Sequence, residues 1–276
     1  MTTATKVEPK TAGESRTKIP QVSDRLIYWF DWYLQRYFPK HFHAFAISNV
    51  VATTTIDEEQ PLIVYMNHAS WWDPLTALVL AKKYFSNRQL YAPIDAEAVK
   101  KYPFMQRLGF FPVEQDKLHG AGNFLKTARS ILNAPRSSVW LTPEGQFADP
   151  RERNLPFQPG LAHLVSKMEH GVVLPLAMEY PFWEERLPEA LGRFGEPIRI
   201  ADHVGVGKDE WRQILERRLR ETQEKLEADS LVRNNEAFEI LISGQSGVVW
   251  MYDILRRLRS VFTGKQLEKT HGDKLQ

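Results

Sequence analysis

Asn67–Leu75, NHASWWDPL, places a histidine and an aspartate five positions apart with two tryptophans between them. An imidazole is the side chain whose ordinary proton affinity suits base chemistry near neutral pH. A carboxylate beside it accepts a hydrogen bond from one ring nitrogen, which fixes the tautomer and leaves the other nitrogen free to take a proton. On a straight helix a separation of five turns two side chains about 140° apart, so helix geometry alone does not join His68 to Asp73. A bent strand-to-helix turn can. The pair needs no serine or cysteine nucleophile if the proton comes from a substrate hydroxyl. The chemistry is then direct attack by an activated alcohol, with general-base catalysis contributing about 10²–10⁴-fold. On spacing alone, a helix-capping aspartate beside an ordinary loop histidine is the better reading, because a single His–Asp pair is common. A metal site would draw on His41, His43, His119, His163 or His170, but none has a recognisable ligand spacing with His68, so neither metal nor cofactor is expected.

The elements that must position the pair are legible around it. Pro61–Met66, PLIVYM, is a continuous apolar run and reads as a buried strand. Pro74 at a first helical position makes Asp73 the expected N-cap of a helix over 74–83. His68 then falls in the loop at the carboxyl end of a strand, where open α/β sheets place their sites. Further along, the pattern predicts strands at 89–94, 110–113, 138–142 and 172–178. Between them it predicts helices at 96–107 (broken at Pro103), 122–132 and 161–169. This alternation specifies an α/β fold with a mostly parallel sheet flanked by helices. No internal repeat is visible.

The two ends differ from the middle. Residues 22–38, VSDRLIYWFDWYLQRYF, read as a helix stopped by Pro39. Leu26, Ile27, Trp29, Phe30, Tyr33, Leu34 and Tyr37 fall on one face at 100° per residue, while Tyr28 and Trp32 fall among Asp31, Gln35 and Arg36. Aromatic rings on a charged face suit a membrane–water interface, although a helix docked on the domain with some exposed rings has the same pattern. Residues 209–228 form a charged helix, and 248–262, VVWMYDILRRLRSVF, a basic amphipathic one that lies on an anionic surface or docks on the domain. The expected organisation is a disordered leader over 1–18, a single domain over 19–264 with a core at about 60–180, and a flexible tail over 265–276.

Composition excludes several classes of function. A net charge of +2 is too small to specify nucleic acid, and the absence of cysteine removes disulfides, a thiolate nucleophile and thiolate metal sites. No window approaches the ~18 apolar residues of a membrane span. The polar first residues lack the apolar core of a signal peptide, so a cytoplasmic location is expected.

Asn67–Asp73 resembles the NHxSxxD block of the glycerolipid and lysophospholipid acyltransferase family. Three further segments resemble the family's other blocks in the same order: LGFFPVEQD at 108–116, LTPEGQF at 141–147 and VVLPLA at 172–177 around Pro175. The loop before a helix at Pro159–Gly160 is also similar. The resemblance implies an α/β fold and transfer of an acyl chain from acyl-CoA or acyl carrier protein to the hydroxyl of a lipid acceptor at a membrane surface. It implies His68 as base, Asp73 as its orienting partner, and Glu144 and Gly145, with Gln146, in the acceptor site. Trp71 and Trp72 would wall an acyl pocket or simply pack beneath the helix that follows.

This chain departs from the family's pattern at two positions where an arginine is associated with the acceptor's phosphate. They are occupied by Phe147 and Gln115, neither of which offers the bidentate fork of a guanidinium. Either other cations such as Lys117, Arg151 or Arg153 take over, or the acceptor is not a lysophosphatidic acid. A masked phosphate, a glycolipid or a carotenoid glycoside would then be acylated. A non-catalytic lipid-binding relative and a thioester hydrolase are the competing classes.

Overall fold

In a computed structural model of the protein, residues 19–114, 120–233 and 235–244 are described. The elements in chain order are α1 (Asp24–Tyr37), β1 (Ala44–Ser48), α2 (Val51–Thr54), β2 (Leu62–Met66), α3 (Asp73–Tyr84), β3 (Gln89–Asp95), α4 (Ala96–Lys101), β4 (Phe110–Val113) and α5 (Gly120–Leu132). They continue with β5 (Ser137–Leu141), α6 (Pro159–Val165), β6 (Val172–Glu179), β7 (Ala190–Phe194), β8 (Ile198–Arg199), α7 (Lys208–Val232) and β9 (Glu239–Ser243). Strand order across the sheet is β4-β3-β5-β2-β6-β7-β1-β9, with β8 paired to β6. The β4-β3-β5-β2-β6 run is parallel. The far edge is mixed: β7 runs antiparallel to β6 and parallel to β1, and β9 is antiparallel to β1. The fold is the mostly parallel α/β sheet that the alternating pattern predicts.

Both faces of the sheet are covered, which is why β2 reads as an unbroken apolar run rather than an alternating one. Leu62, Val64 and Met66 point into one core with residues of α1 and α3. Ile63 and Tyr65 point into the other, filled by α5, α6 and α7. The Tyr65 hydroxyl, fully buried, donates to the Leu215 carbonyl of α7 at 3.0 Å. The strands β1, β7, β8 and β9 were not expected from pattern; they are short and carry neither a long apolar run nor a clean alternation. The expected helix over 96–107 is broken at Pro103 as predicted: α4 is followed, after Tyr102, by a segment over Pro103–Leu108 that is 3₁₀ rather than α and that Gly109 closes at φ 106°.

Helix α1 begins at the Ser23 cap and buries a narrower strip than the helical wheel suggests. Leu34 is buried, and Leu26, Ile27 and Phe30 pack on the core. Trp29 and Tyr33, expected on the inner face, are exposed, Trp29 at 61%. The helix meets its neighbours along one line of contact, so the flanks of its wide aromatic arc stay outside. The expected basic helix at 248–262 lies outside the described residues, as do residues 1–18 and 265–276. Among the described residues, no helix is long and apolar enough to cross a membrane.

Candidate active site

The site forms where three neighbouring parallel strands end together. Tyr65 of β2 is level with Leu141 of β5, and Met66 with Leu176 of β6. The loops after β2 and β5 and the last residues of β6 therefore emerge side by side. Asn67 stops β2 by bonding its side chain to β6 twice: its amide donates to the Met178 carbonyl at 2.9 Å and its oxygen accepts from the Met178 N–H at 2.8 Å. The loop after β5 is tied to the same turn, because the Ala148 N–H donates to the His68 carbonyl at 2.9 Å.

Within this frame the turn 67–72 bends His68 back onto the start of α3. His68 Nδ1 lies 2.8 Å from Asp73 Oδ2. The same carboxylate oxygen accepts the Ser70 N–H at 3.0 Å, and Oδ1 accepts the Tyr180 hydroxyl at 2.7 Å. Asp73 is 1% exposed and His68 19% exposed, so the carboxylate is sealed while the imidazole keeps a path to solvent. A buried carboxylate is stable in such a position only when its oxygens are met by donors, and here both are. With Nδ1 engaged as donor, Nε2 is the free basic position. Asp73 is the first residue of α3 rather than its N-cap: Trp72 occupies the cap position, and the carboxylate turns back to Ser70 and His68 instead of forward to the helix N–H groups.

Glu144 is buried beside the pair. Its Oε2 accepts the His68 N–H at 2.9 Å, and its Oε1 faces Arg220 of α7 at 3.4 Å. The Arg220 guanidinium is held in turn by the Leu155 carbonyl. Gly145 adopts φ 71°, a left-handed conformation, and a Cβ there would come within 2.9 Å of the Gln158 side chain. Its N–H donates to the Thr142 carbonyl at 3.1 Å and so closes a turn. Gln146 is exposed. Phe147, 61% exposed, lays its ring over His68 with the ring centroids 4.1 Å apart.

The remaining residues singled out in the sequence are scattered. Arg151 is exposed and engaged bidentately by Asp149. Arg153 reaches α7 and pairs with Glu227. Gln115, Lys117 and His119 lie outside the described residues. Trp72 packs on Tyr37, Phe38, His41 and Phe42, with the Phe42 centroid 4.7 Å away, so it belongs to the core under α1. Trp71 stacks on Trp72 at 4.4 Å and remains exposed. Among the described residues no cluster of histidine and acidic side chains could hold a metal ion. His43 has a partner of its own, Glu189 at 2.7 Å. Asn67 and Ser70 belong to the NHxSxxD block, but Tyr180 and Arg220 take part in the site without any spacing signal: Tyr180 stands 107 positions from Asp73, and only the sheet brings them together.

Comparison with known proteins bears on the fold and the family. Residues 47–179 match the family model described as Acyltransferase. Among solved structures, the chain is similar to the 1-acyl-sn-glycerophosphate (LPA) acyltransferase PlsC from Thermotoga maritima. The TM-score is 0.53 at 16% identity, covering 74% of this chain and 80% of that one. At that identity the likeness is one of fold. No curated protein matches the chain. The matched region contains the four sequence blocks and the His68–Asp73 turn on this fold, and the protein is therefore read as an acyltransferase over residues 47–179.

Proposed function

We propose that the protein transfers an acyl chain from a thioester, acyl-CoA or acyl carrier protein, to a hydroxyl of a lipid acceptor. The observation that carries this reading is the 2.8 Å contact between His68 Nδ1 and a buried carboxylate, in a turn that leaves Nε2 free. Nε2 removes the acceptor's hydroxyl proton as the oxygen attacks the thioester carbonyl. A C–O bond forms, the C–S bond breaks, and the imidazolium returns its proton to the departing thiolate. Asp73 holds the ring and stabilises the imidazolium. Because the Gly145 N–H is taken by Thr142, that group does not serve the oxyanion. Gly145 and Gln146 border the acceptor side, and Glu144 shapes it by holding the His68 backbone. No metal or bound cofactor takes part in the scheme.

Thiol release from an acyl-CoA in the presence of lysolipid acceptors tests it. His68→Ala should abolish acceptor-dependent release; equal rates in the two proteins would refute the mechanism, and free acid formed without acceptor would make the protein a hydrolase.

A second reading concerns the acceptor. Phe147 covers the imidazole where the resemblance leads one to expect an arginine. A ring in contact with the base gives a hydroxyl-bearing apolar or sugar surface something to pack on, and gives a phosphate nothing. The proposed acceptor is therefore a lipid alcohol without a free phosphate monoester near the reacting hydroxyl, a glycolipid or a masked phospholipid. Strong preference for lysophosphatidic acid across an acceptor panel would refute this.

The protein is also proposed to work peripherally on the cytoplasmic face of a membrane. The support is the exposed aromatic surface of α1, Tyr28, Trp29, Trp32 and Tyr33, which ring contacts through the half-buried Tyr37 and Trp72 link to exposed Trp71 beside the His68 turn. Trp71 is then positioned to meet the acyl chain at the mouth of the site.

A further inference from the structure

We propose that Tyr180 is a positioning residue for the acyl-transfer reaction, setting how strongly Asp73 pulls on the His68 proton. This rests on the reading of His68 as base. Tyr180 is the first residue after β6. Its hydroxyl donates to Asp73 Oδ1 at 2.7 Å, while Oδ2 serves His68 and Ser70. The carboxylate is thus held from both sides: one oxygen is anchored to the sheet by a phenol, and the other is aimed at the imidazole. The anchor is rigid. The Tyr180 ring packs on Phe42 at 5.7 Å, and the residue two positions earlier is clamped by Asn67 through two hydrogen bonds. Burial first, and then the neighbouring Asp73 charge, keeps the phenol protonated far above the ordinary tyrosine range. Tyr180 is therefore a donor at every working pH.

A phenol that donates to a carboxylate takes up part of its charge. What remains determines how well Asp73 stabilises the imidazolium. Without the phenol the carboxylate is freer to rotate and more strongly attracted to the His68 proton. Orientation is lost, which lowers kcat, and the base stays protonated to a higher pH, which moves the acid limb of the profile upward.

The test compares wild type, Tyr180→Phe, a protein carrying 3-fluorotyrosine at position 180, and His68→Ala. Each is assayed by thiol release over a pH series with saturating acyl-CoA and one accepted lysolipid. Tyr180→Phe keeps the ring on Phe42 and removes only the hydroxyl. Its kcat should fall about tenfold or more with KM for both substrates within twofold, and the acid limb of kcat/KM should rise by about half a pH unit or more. Fluorotyrosine, a stronger donor with an intact ring, should move the limb the opposite way and keeps the test open should Tyr180→Phe fold poorly. An inactive His68→Ala protein combined with an unmoved limb in both Tyr180 proteins would overturn the role of Tyr180 alone. A fully active His68→Ala protein would overturn the underlying mechanism instead.

Discussion

Replacing Asp73 by asparagine removes one charge and leaves the shape of the site in place. The carboxylate meets three donors: the Nδ1 proton of His68 and the Ser70 N–H at Oδ2, and the Tyr180 hydroxyl at Oδ1. An amide has one acceptor oxygen and one donor nitrogen. With its oxygen at the Oδ2 position it still receives His68 and Ser70, and its NH₂ faces the Tyr180 hydroxyl, which can rotate to accept. Every buried polar group stays partnered, so Asp73→Asn should fold with a melting temperature close to wild type. What disappears is the interaction of a negative charge with the imidazolium formed in the transition state. Unit charges about 4 Å apart at an effective dielectric of about 20 interact by about 4 kcal/mol. With the proton about half transferred, the loss is roughly 2–4 kcal/mol, which is about 30- to 1000-fold in kcat. Thiol release at saturating acyl-CoA and acceptor measures it, and KM should change little because neither substrate touches Asp73. A kcat within threefold of wild type in a folded protein would refute the role given to the pair. Asp73→Ala is the contrasting case: it orphans the Ser70 N–H and the Tyr180 hydroxyl in a sealed space, and should also lower stability by about 2–4 kcal/mol.

Three other outcomes follow from the same geometry. Phe147→Arg should raise the kcat/KM ratio for lysophosphatidic acid over a phosphate-free acceptor by about tenfold or more, since it adds a bidentate phosphate partner beside His68; an unchanged ratio in competition assays would count against the specificity reading. Sedimentation with anionic liposomes should capture the protein at low salt, and Trp29→Ala with Trp32→Ala should weaken capture by about tenfold per ring, each partly inserted indole contributing roughly 1–2 kcal/mol; a double variant that binds like wild type would exclude α1 as the docking face. The buried His43–Glu189 pair predicts a pH dependence of stability. The hydrogen bond to Glu189 raises the His43 value above its ordinary 6.5, against the opposing effect of burial. A raised value stabilises the fold fully below about pH 6.5 and ceases to do so as pH climbs through the higher folded value. The melting temperature should therefore fall from pH 6 towards alkaline pH more steeply in wild type than in His43→Gln/Glu189→Gln; parallel curves would contradict it.

The amino-acid sequence by itself determined the parallel part of the sheet, β2 to β6, and the place of the His68 turn. Apolar runs such as Leu62–Met66 and Val172–Met178 mark strands buried on both faces, as in a sheet covered by helices, and Pro74 sets the helix start that leaves His68 in the preceding loop. The pairing of His68 with Asp73 was legible as chemistry, and the four sequence blocks as family, because both are local in the chain. The neighbourhood of the pair was not. Tyr180 and Arg220 reach the site through strand order and helix packing, across separations of 107 and 76 positions to the residues they touch, and the Asn67 side chain finds its partner Met178 111 positions away. Periodicity carries no information on such distances. It also misjudged the inner face of α1 and missed the strands β1, β7, β8 and β9, for one shared reason. A wheel or a run length records which residues are apolar, but only tertiary packing decides how much of that surface finds a neighbour, and so Trp72 lies in the core while Trp29 and Trp71 stay outside.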